Sequence, residues 1–429
     1  MQVYLVGGAV RDQLLNIEVK DRDWVVVGAT PQQLLQKGYI QVGKTFPVFI
    51  DPQYKEEYAL ARTEKKSGTG YTGFICNFDP TVTLEQDLVR RDLTINAIAQ
   101  DQQGNLYDPY GGIKDLNLGI LRHISSSFIE DPLRVLRVAR FAARYFYLNF
   151  KIAPETIELM TQIALQGELQ HLSAERIWLE TEKALQTQNP EIYFEILYKI
   201  GALKQLLPKL SNLCVFSSHN LSDSHSRMNS FSRIMLALQN ATKLTGNYSS
   251  QSKNAIRFSA ICCALKDILT FKDNNYYESE EKGNILIKSL CETLKIPHYI
   301  KDLACLSCKY YNLINKVFQL SPEEVLRLFS ELDCWRRPER FKELLLVCTA
   351  NQKGLEGKKM YYPQADFIFQ LYQSTLEINI KKIIADGFQK EEIKKELTRQ
   401  RLYMVQKTYK NFLHNRNMNE WICYVDSLY

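Results

Sequence analysis

The sequence has no long apolar run. No stretch of its 429 residues approaches the roughly 20 apolar residues that span a bilayer, which argues against a transmembrane helix. Its ten cysteines follow no spaced framework and lie in a chain too long for the disulfide-scaffold class, so they read as reduced cytosolic thiols. Charge of one sign is not in large excess: a formal +6 suits an acidic partner without demanding one. The opening residues run straight into a strand and a glycine turn, so no secretory signal is expected and the location reads as cytoplasmic. What remains is an ordinary globular composition, 45% apolar and 24% charged, at a length that suggests about three domains.

Three devices sit within the first 23 residues. Val3-Tyr4-Leu5-Val6 reads as a buried strand. Gly7-Gly8 ends it and permits a tight turn and close backbone approach to a phosphate. Arg11 and Asp12 open a short helix carrying Leu14 and Leu15. Asp21 and Asp23 then lead into a second strand, Trp24-Val25-Val26-Val27. Alternation along a strand points positions 21 and 23 the same way, and two carboxylates on one face can hold one or two magnesium ions against a triphosphate. An isolated Asp-x-Asp is usually a pair of solvated turn residues. The glycine turn and basic helix that feed the same strand pair favour the metal reading here.

Gly7-Gly8-Ala9-Val10-Arg11-Asp12 followed by Asp21-Arg22-Asp23 resembles the head motif of the class II nucleotidyltransferases, which include the tRNA CCA-adding enzymes and bacterial poly(A) polymerases. The resemblance implies an α+β chain with a mixed α/β nucleotidyltransferase head, followed by an all-α neck, body and tail. It places the head at 1–121, the neck at 122–210, the body at 211–320 and the tail at 321–429.

Further along the head, Thr30-Pro31 reads as a helix cap followed by proline at the first helical position, and Val42 to Ile50 and Glu57 to Ala61 read as strands. Arg62 to Phe74 carries three glycines, two lysines, a serine and three threonines, and is expected to form an irregular mobile loop. It is similar to the flexible loop of CCA-adding enzymes, associated there with the switch from C to A addition; Arg62, Glu64, Gly68, Gly70 and Gly73 are its candidate residues. Arg90-Arg91-Asp92-Leu93-Thr94-Ile95-Asn96-Ala97 offers guanidinium forks suited to phosphate oxygens beside an orienting carboxylate. It resembles the second head motif, which implies that Arg91 contacts the nucleotide and that Asp92 and Asn96 position sugar or phosphate.

Glu130-Asp131-Pro132 precedes a helix on which Arg134, Arg137, Arg140 and Arg144 share one stripe, with Val135, Val138, Ala139 and Ala142 opposite. Four arginines without lysine or an intervening carboxylate favour an anion over mere solvation. The string resembles the neck motif Glu-Asp-x-x-Arg, which implies that Asp131 and Arg134 read the Watson–Crick edge of the incoming base. A carboxylate accepts from the exocyclic amine shared by cytosine and adenine, and a guanidinium donates to their ring acceptors; guanine and uracil present the wrong pattern. Arg137 and Arg140 are assigned to the nucleotide. Ser173 is expected to cap the next helix, although Arg176 replaces the Glu or Gln of a full capping box.

The second half is helical in pattern. A Ser- and Asn-rich loop around one helix is expected from Ser217 to Asn254. Many relatives carry a His-Asp phosphohydrolase pair next; here Cys263 and Ala264 stand at the corresponding helix, so phosphohydrolase activity is expected to be absent. Cys262, Cys263 and Cys305-x-x-Cys308 match zinc spacings poorly and read as core packing. From Lys381 to Arg416 basic residues predominate, with Tyr403, Tyr409 and Phe412 interleaved, as in a segment that tracks a phosphate backbone.

The sequence therefore leads to template-independent addition of CCA to the tRNA 3′ end from CTP and ATP. By the resemblance, Asp21 and Asp23 are expected to bind magnesium, and Gly8, Arg11 and Arg91 the triphosphate. The expected partners are tRNA, CTP and ATP, with no membrane, no zinc, and a monomer or weak dimer. A poly(A) polymerase shares the head chemistry and is the alternative; a noncatalytic RNA-binding protein is the second.

Overall fold

The computed structural model describes residues 1–42, 48–66, 74–208, 211, 230–270, 276–352 and 362–414. They fall into two units, Met1–Val215 with Thr293–Lys295, and Phe216–Glu292 with Ile296–Tyr429.

The first unit begins with β1 (Gln2–Val6), α1 (Gly8–Leu14), β2 (Asp23–Val27) and α2 (Pro31–Gln36). The strands β3 (Ile40–Val42), β4 (Val48–Ile50) and β5 (Glu57–Leu60) follow. Next come the hairpin strands β6 (Thr63–Lys66) and β7 (Phe74–Asn77), helix α3 (Leu84–Val89), and strands β8 (Ala99–Gln100) and β9 (Leu106–Tyr107). Among the described residues the main sheet has the order β3-β4-β5-β2-β1-β8-β9. Its pairs are antiparallel except for β2 with β5. Neighbouring valines of β2 serve opposite faces: Val25 packs with Tyr4, Val6, Leu84 and Leu88, whereas Val26 packs with Leu34, Phe49 and Leu60. Both faces are thus covered, and the strand ends are the places left for chemistry.

Thr30 caps α2 as its sequence suggests, and Gln33 Oε1 in turn accepts the Thr30 N–H at 2.9 Å, completing a capping box. The segment expected to be irregular from Arg62 onward begins instead as β6, paired in antiparallel register with β7. Cross-strand pairing overrides the weak propensities of Thr-Glu-Lys-Lys, so Arg62 and Glu64 lie at the base of a hairpin. Gly68, Gly70 and Gly73 lie outside the described residues.

Helix α4 (Gly112–Leu118), strand β10 (Ile120–Leu121), helix α5 (Leu133–Tyr145) and strand β11 (Lys151–Ile152) lead into four further helices. These are α6 (Pro154–Leu165), α7 (Ala174–Leu185), α8 (Pro190–Lys199) and α9 (Ala202–Leu206). Proline opens α6 and α8, where its missing N–H costs no helical bond. Ser173 accepts the Arg176 N–H and caps α7. Helix α5 packs on α7 and α8 and is buried nearly all round.

In the second unit the helix Ser250–Thr270 packs on Ser230–Leu244, His298–Asn315 and Pro338–Asn351. The helix Ser230–Leu244 lies within the stretch expected to be a Ser- and Asn-rich loop around one helix; residues 212–229 lie outside the described residues. Cys262 and Cys263 are completely buried in this packing, and burial pushes the Cys262 thiol well above its ordinary pKa. Two of the aromatics expected to face a nucleic acid turn inward: Tyr409 donates to the Phe318 carbonyl at 2.8 Å, and Phe412 packs 4.2 Å from Phe367. Their apolar area outweighs the basic neighbours and sets which face of Glu391–His414 is covered; Tyr403 remains exposed. Among the described residues no helix is long and apolar enough to cross a membrane.

Candidate active site

Strand β1 ends at Gly7, whose φ of +69° suits glycine and whose N–H donates to the Ile98 carbonyl. A second constraint acts at the same residue. A Cβ on Gly7 would sit 2.7 Å from Arg91 Nη1, so only a hydrogen lets the guanidinium lie against this turn. Gly8 follows as the first residue of α1, with Arg11 Nη2 3.4 Å from its Cβ direction.

Asp23 pairs with Val6 across β1 and β2. Its neighbours occupy the other side of the strand: Trp24 donates to Glu56 at 2.6 Å and stacks on Tyr58, and Arg22 lies 3.9 Å from Glu56. Asp21 and Asp23 are exposed, and among the described residues neither side chain makes a hydrogen bond or an ion pair. Partial desolvation raises the Asp23 pKa; Arg91 opposes this and the Asp21 charge adds to it. Two uncommitted carboxylates, one held reluctantly ionised, fit a hard cation that takes oxygen ligands.

The other carboxylates of this region are spent on arginines. Asp87, fully buried on α3, accepts Arg90 at 2.7 Å and Arg91 at 3.3 Å. Arg91 Nε is buried and makes no hydrogen bond, so this guanidinium is only partly committed. Asp92 accepts the Leu93 N–H at 2.9 Å, Asn96 Nδ2 at 2.8 Å and Arg137 Nε at 2.7 Å. Burial works to raise the Asp92 carboxyl, but Arg137 and these hydrogen bonds hold it far below the usual carboxylate range. Asn96 also accepts from Arg11 at 2.6 Å. Arg11 is only 3% exposed; it pairs with Asp12 and lies against the rings of Phe141 and Tyr145. Asp12 in turn accepts Arg144 at 2.8 Å and the Tyr145 hydroxyl at 2.9 Å.

The arginine stripe of α5 is therefore an internal comb. Arg137 reaches Asp92, Arg140 reaches Glu180 of α7 at 2.5 Å, and Arg144 reaches Asp12. Arg134, nearest the start of the helix, donates to the Ser127 carbonyl at 2.8 Å and to the Arg90 carbonyl at 2.5 Å. Asp131 accepts the Leu133 N–H at 3.2 Å and Arg176 at 2.9 Å. The opposite stripe is buried apolar surface, as the periodicity implies. The site residues proposed from sequence thus gather along two seams, β1–β2 with Arg91, and α5 against the end of α3.

Several residues of this network were not anticipated from the sequence: Glu180, Asp87, Asp12 as a hub, Tyr145, and the Glu64–Arg90 pair at 3.0 Å. Only Asp87 had a local signal, since its spacing to Arg90 and Arg91 is that of helical neighbours. The others join elements far apart in the chain.

The comparisons with known proteins agree with this architecture. A family model described as the Poly A polymerase head domain matches residues 3–122, and one described as a probable RNA and SrmB-binding site of polymerase A matches residues 149–214. The chain is 58% identical over 408 residues to the Multifunctional CCA protein of Mannheimia succiniciproducens, covering 94% of this chain and 97% of the relative. It is 53% identical to the CCA-adding enzyme of Actinobacillus succinogenes, covering 95% and 98%. Among solved structures, a CCA-adding enzyme in its apo form II superposes with a TM-score of 0.62 at 21% identity, covering 97% of this chain and 92% of the other. The Thermotoga maritima CCA-adding enzyme complexed with tRNA gives 0.59 at 20% identity, covering 96% and 91%. At that identity the structures establish a shared fold, and the close relatives establish kinship: the chain belongs to the CCA-adding enzymes, the tRNA nucleotidyltransferases built on a poly(A) polymerase-type head.

Proposed function

We propose that this chain completes the 3′ end of tRNA by adding C, C and A from CTP and ATP without a nucleic-acid template, releasing pyrophosphate at each step. One observation carries the reading. Asp12, Asp87, Asp92, Asp131 and Glu180 are all engaged by arginines, whereas Asp21 and Asp23, beside the half-committed Arg91, are left open.

Asp21 and Asp23 would hold magnesium, which when bound supplies activation of the terminal hydroxyl and charge stabilisation of the leaving pyrophosphate. Gly8, Arg11 and Arg91 would take the triphosphate. Arg91 is the most available donor, while Arg11 fixes the turn that presents the Gly8 backbone. Arg137 and Arg140, anchored by Asp92 and Glu180, would line the nucleotide. Asp131 and Arg134 would read the base, each held by protein partners that limit its reorientation.

The same proposal assigns 1–121 to the head, 122–210 to the neck, 211–320 to the body and 321–429 to the tail. It includes a cytoplasmic enzyme, monomeric or weakly dimeric, without zinc and without phosphohydrolase activity. The last point rests on Cys263 and Ala264, of which Cys263 is buried in a packed helix. Among the described residues no group of three or more His, Cys, Asp or Glu is placed to hold a metal ion.

The test uses purified protein, magnesium, CTP, ATP and tRNA lacking its last three nucleotides, with sequencing of the product ends. A uniform CCA end is expected. Runs of A would support a poly(A) polymerase, and no extension would refute transfer. Asp23→Ala should abolish addition, and normal turnover in that variant would refute the metal assignment.

A further inference from the structure

Arg22 stands between Asp21 and Asp23, the two carboxylates left open for a cation. Its side chain is half exposed and long enough to fold over either neighbour. A guanidinium laid there would repel a divalent ion and occupy its ligands. Yet among the described residues neither aspartate has a side-chain partner, and Arg22 lies instead toward Glu56, its Nη1 3.9 Å from Oε1.

Two features hold Glu56 in place. Its Oε2 accepts the Trp24 indole N–H at 2.6 Å, a short charge-assisted bond. Trp24 is itself fixed by stacking on Tyr58, with ring centres 5.7 Å apart and planes 9° from parallel. The Glu56 carbonyl accepts the Asp51 N–H at 3.0 Å, and Asp51 Oδ1 accepts the N–H groups of Gln53 and Tyr54. The turn from β4 to β5 that carries Glu56 is thus closed by its own hydrogen bonds. Side chains alternate along β2, so Trp24 faces away from Asp23, and Arg22, drawn to the same carboxylate, is carried to that far side. The sheet ladder does not supply this control, because β2 pairs with β1 and β5 only from Asp23 onward.

We propose that Glu56 is a positioning residue for the metal site: its charge, held by Trp24, draws Arg22 away from Asp21 and Asp23 and keeps both free for a divalent cation. The inference rests on the reading that these two aspartates hold magnesium. It makes Arg22 a built-in competitor of the metal and Glu56 the group that diverts it.

The experiment follows the binding of Mn2+, a divalent ion suited to carboxylate ligands whose free form is detected by EPR. The protein is titrated with CTP present and tRNA absent, so that no transfer occurs, and compared with the same titration of CTP alone. Glu56→Gln keeps an acceptor for Trp24 and loses the charge. It should weaken Mn2+ binding about two- to fivefold, the range of a partly exposed ion pair. Arg22→Gln alone should not weaken it, and the double variant should return to wild-type affinity, because the competitor is gone. In C addition the half-saturating magnesium concentration should follow the same order, while kcat at saturating magnesium and the melting temperatures stay near wild type. Unchanged binding in Glu56→Gln would overturn the inference. So would a double variant as weak as Glu56→Gln, the result expected if Glu56 only braces the strand. A wild-type protein that takes up no Mn2+ beyond that of CTP, or an Asp23→Ala variant that takes up as much as wild type, would overturn the metal reading itself, and this inference with it.

Discussion

Replacing Asp12 by alanine removes the acceptor that joins α1 to the end of α5. Three groups lose their partner: Arg11, the Tyr145 hydroxyl and Arg144. They do not count equally. The Arg144 side chain is 38% exposed and can turn to water, so its share is small. The Arg11 side chain is 4% exposed and lies against two aromatic rings, with Asn96 as its remaining hydrogen-bond partner. Breaking a buried pair by removing one partner costs about 3–5 kcal/mol, because the other charge stays buried. For a unit of this size each kcal/mol lowers Tm by roughly 2–4 °C, which gives a drop of about 6–20 °C. The assay is calorimetric or urea unfolding of Asp12→Ala, Tyr145→Phe and the double variant. Tyr145→Phe alone removes donor and hydroxyl together and should cost about 1 kcal/mol. In the double variant that cost should vanish, because the acceptor is already gone. A loss under about 1 kcal/mol in Asp12→Ala, or strict additivity with Tyr145→Phe, would refute the hub.

Gly112→Ala should destabilise the first unit by about 1–3 kcal/mol despite alanine's better helix propensity, because the new Cβ would meet the Thr94 carbonyl oxygen at 2.2 Å; unfolding midpoints check this. Glu180→Gln should lower kcat/KM for CTP about 10- to 100-fold by letting Arg140 and Arg137 drift, with steady-state kinetics as the measure. Acid should weaken the first unit through Asp87 and Asp92. Both pKa values are depressed in the fold, so the stability they give is present above the ordinary value of 3.8 and is lost as pH falls below it. Urea midpoints measured from about pH 7 to pH 2.5 should therefore fall less steeply in Asp92→Asn than in wild type.

Local chemistry made the frame of the candidate site readable in advance. Gly7, Asp21, Asp23 and Arg91 announce themselves because a turn, an alternating strand and an arginine pair are written in neighbouring residues. The helix starts at Thr30 and Ser173 were readable for the same reason. What could not be read is where each arginine finds its carboxylate. Arg137 meets Asp92 across 45 positions and Arg140 meets Glu180 across 40, separations that no periodicity encodes. The stripe on α5 looked like a surface for anions because its counterions sit on other elements. The hairpin at Thr63–Lys66 was misread because sheet pairing, a tertiary fact, supplied the order that composition lacked.

The Asp12–Tyr145 bond also sets a timetable. Its two ends are 133 positions apart. At about 5–20 residues per second, the ribosome needs roughly 7–27 s to make the chain between them. For that interval Asp12 has only its neighbour Arg11 to answer it, and Arg11 lacks the rings that shelter it. The turn at Gly7-Gly8 therefore lacks this support when it is synthesised. It waits for a helix that belongs to the neighbouring part of the chain, and the nascent head is most open to capture or cleavage until Tyr145 has left the exit tunnel.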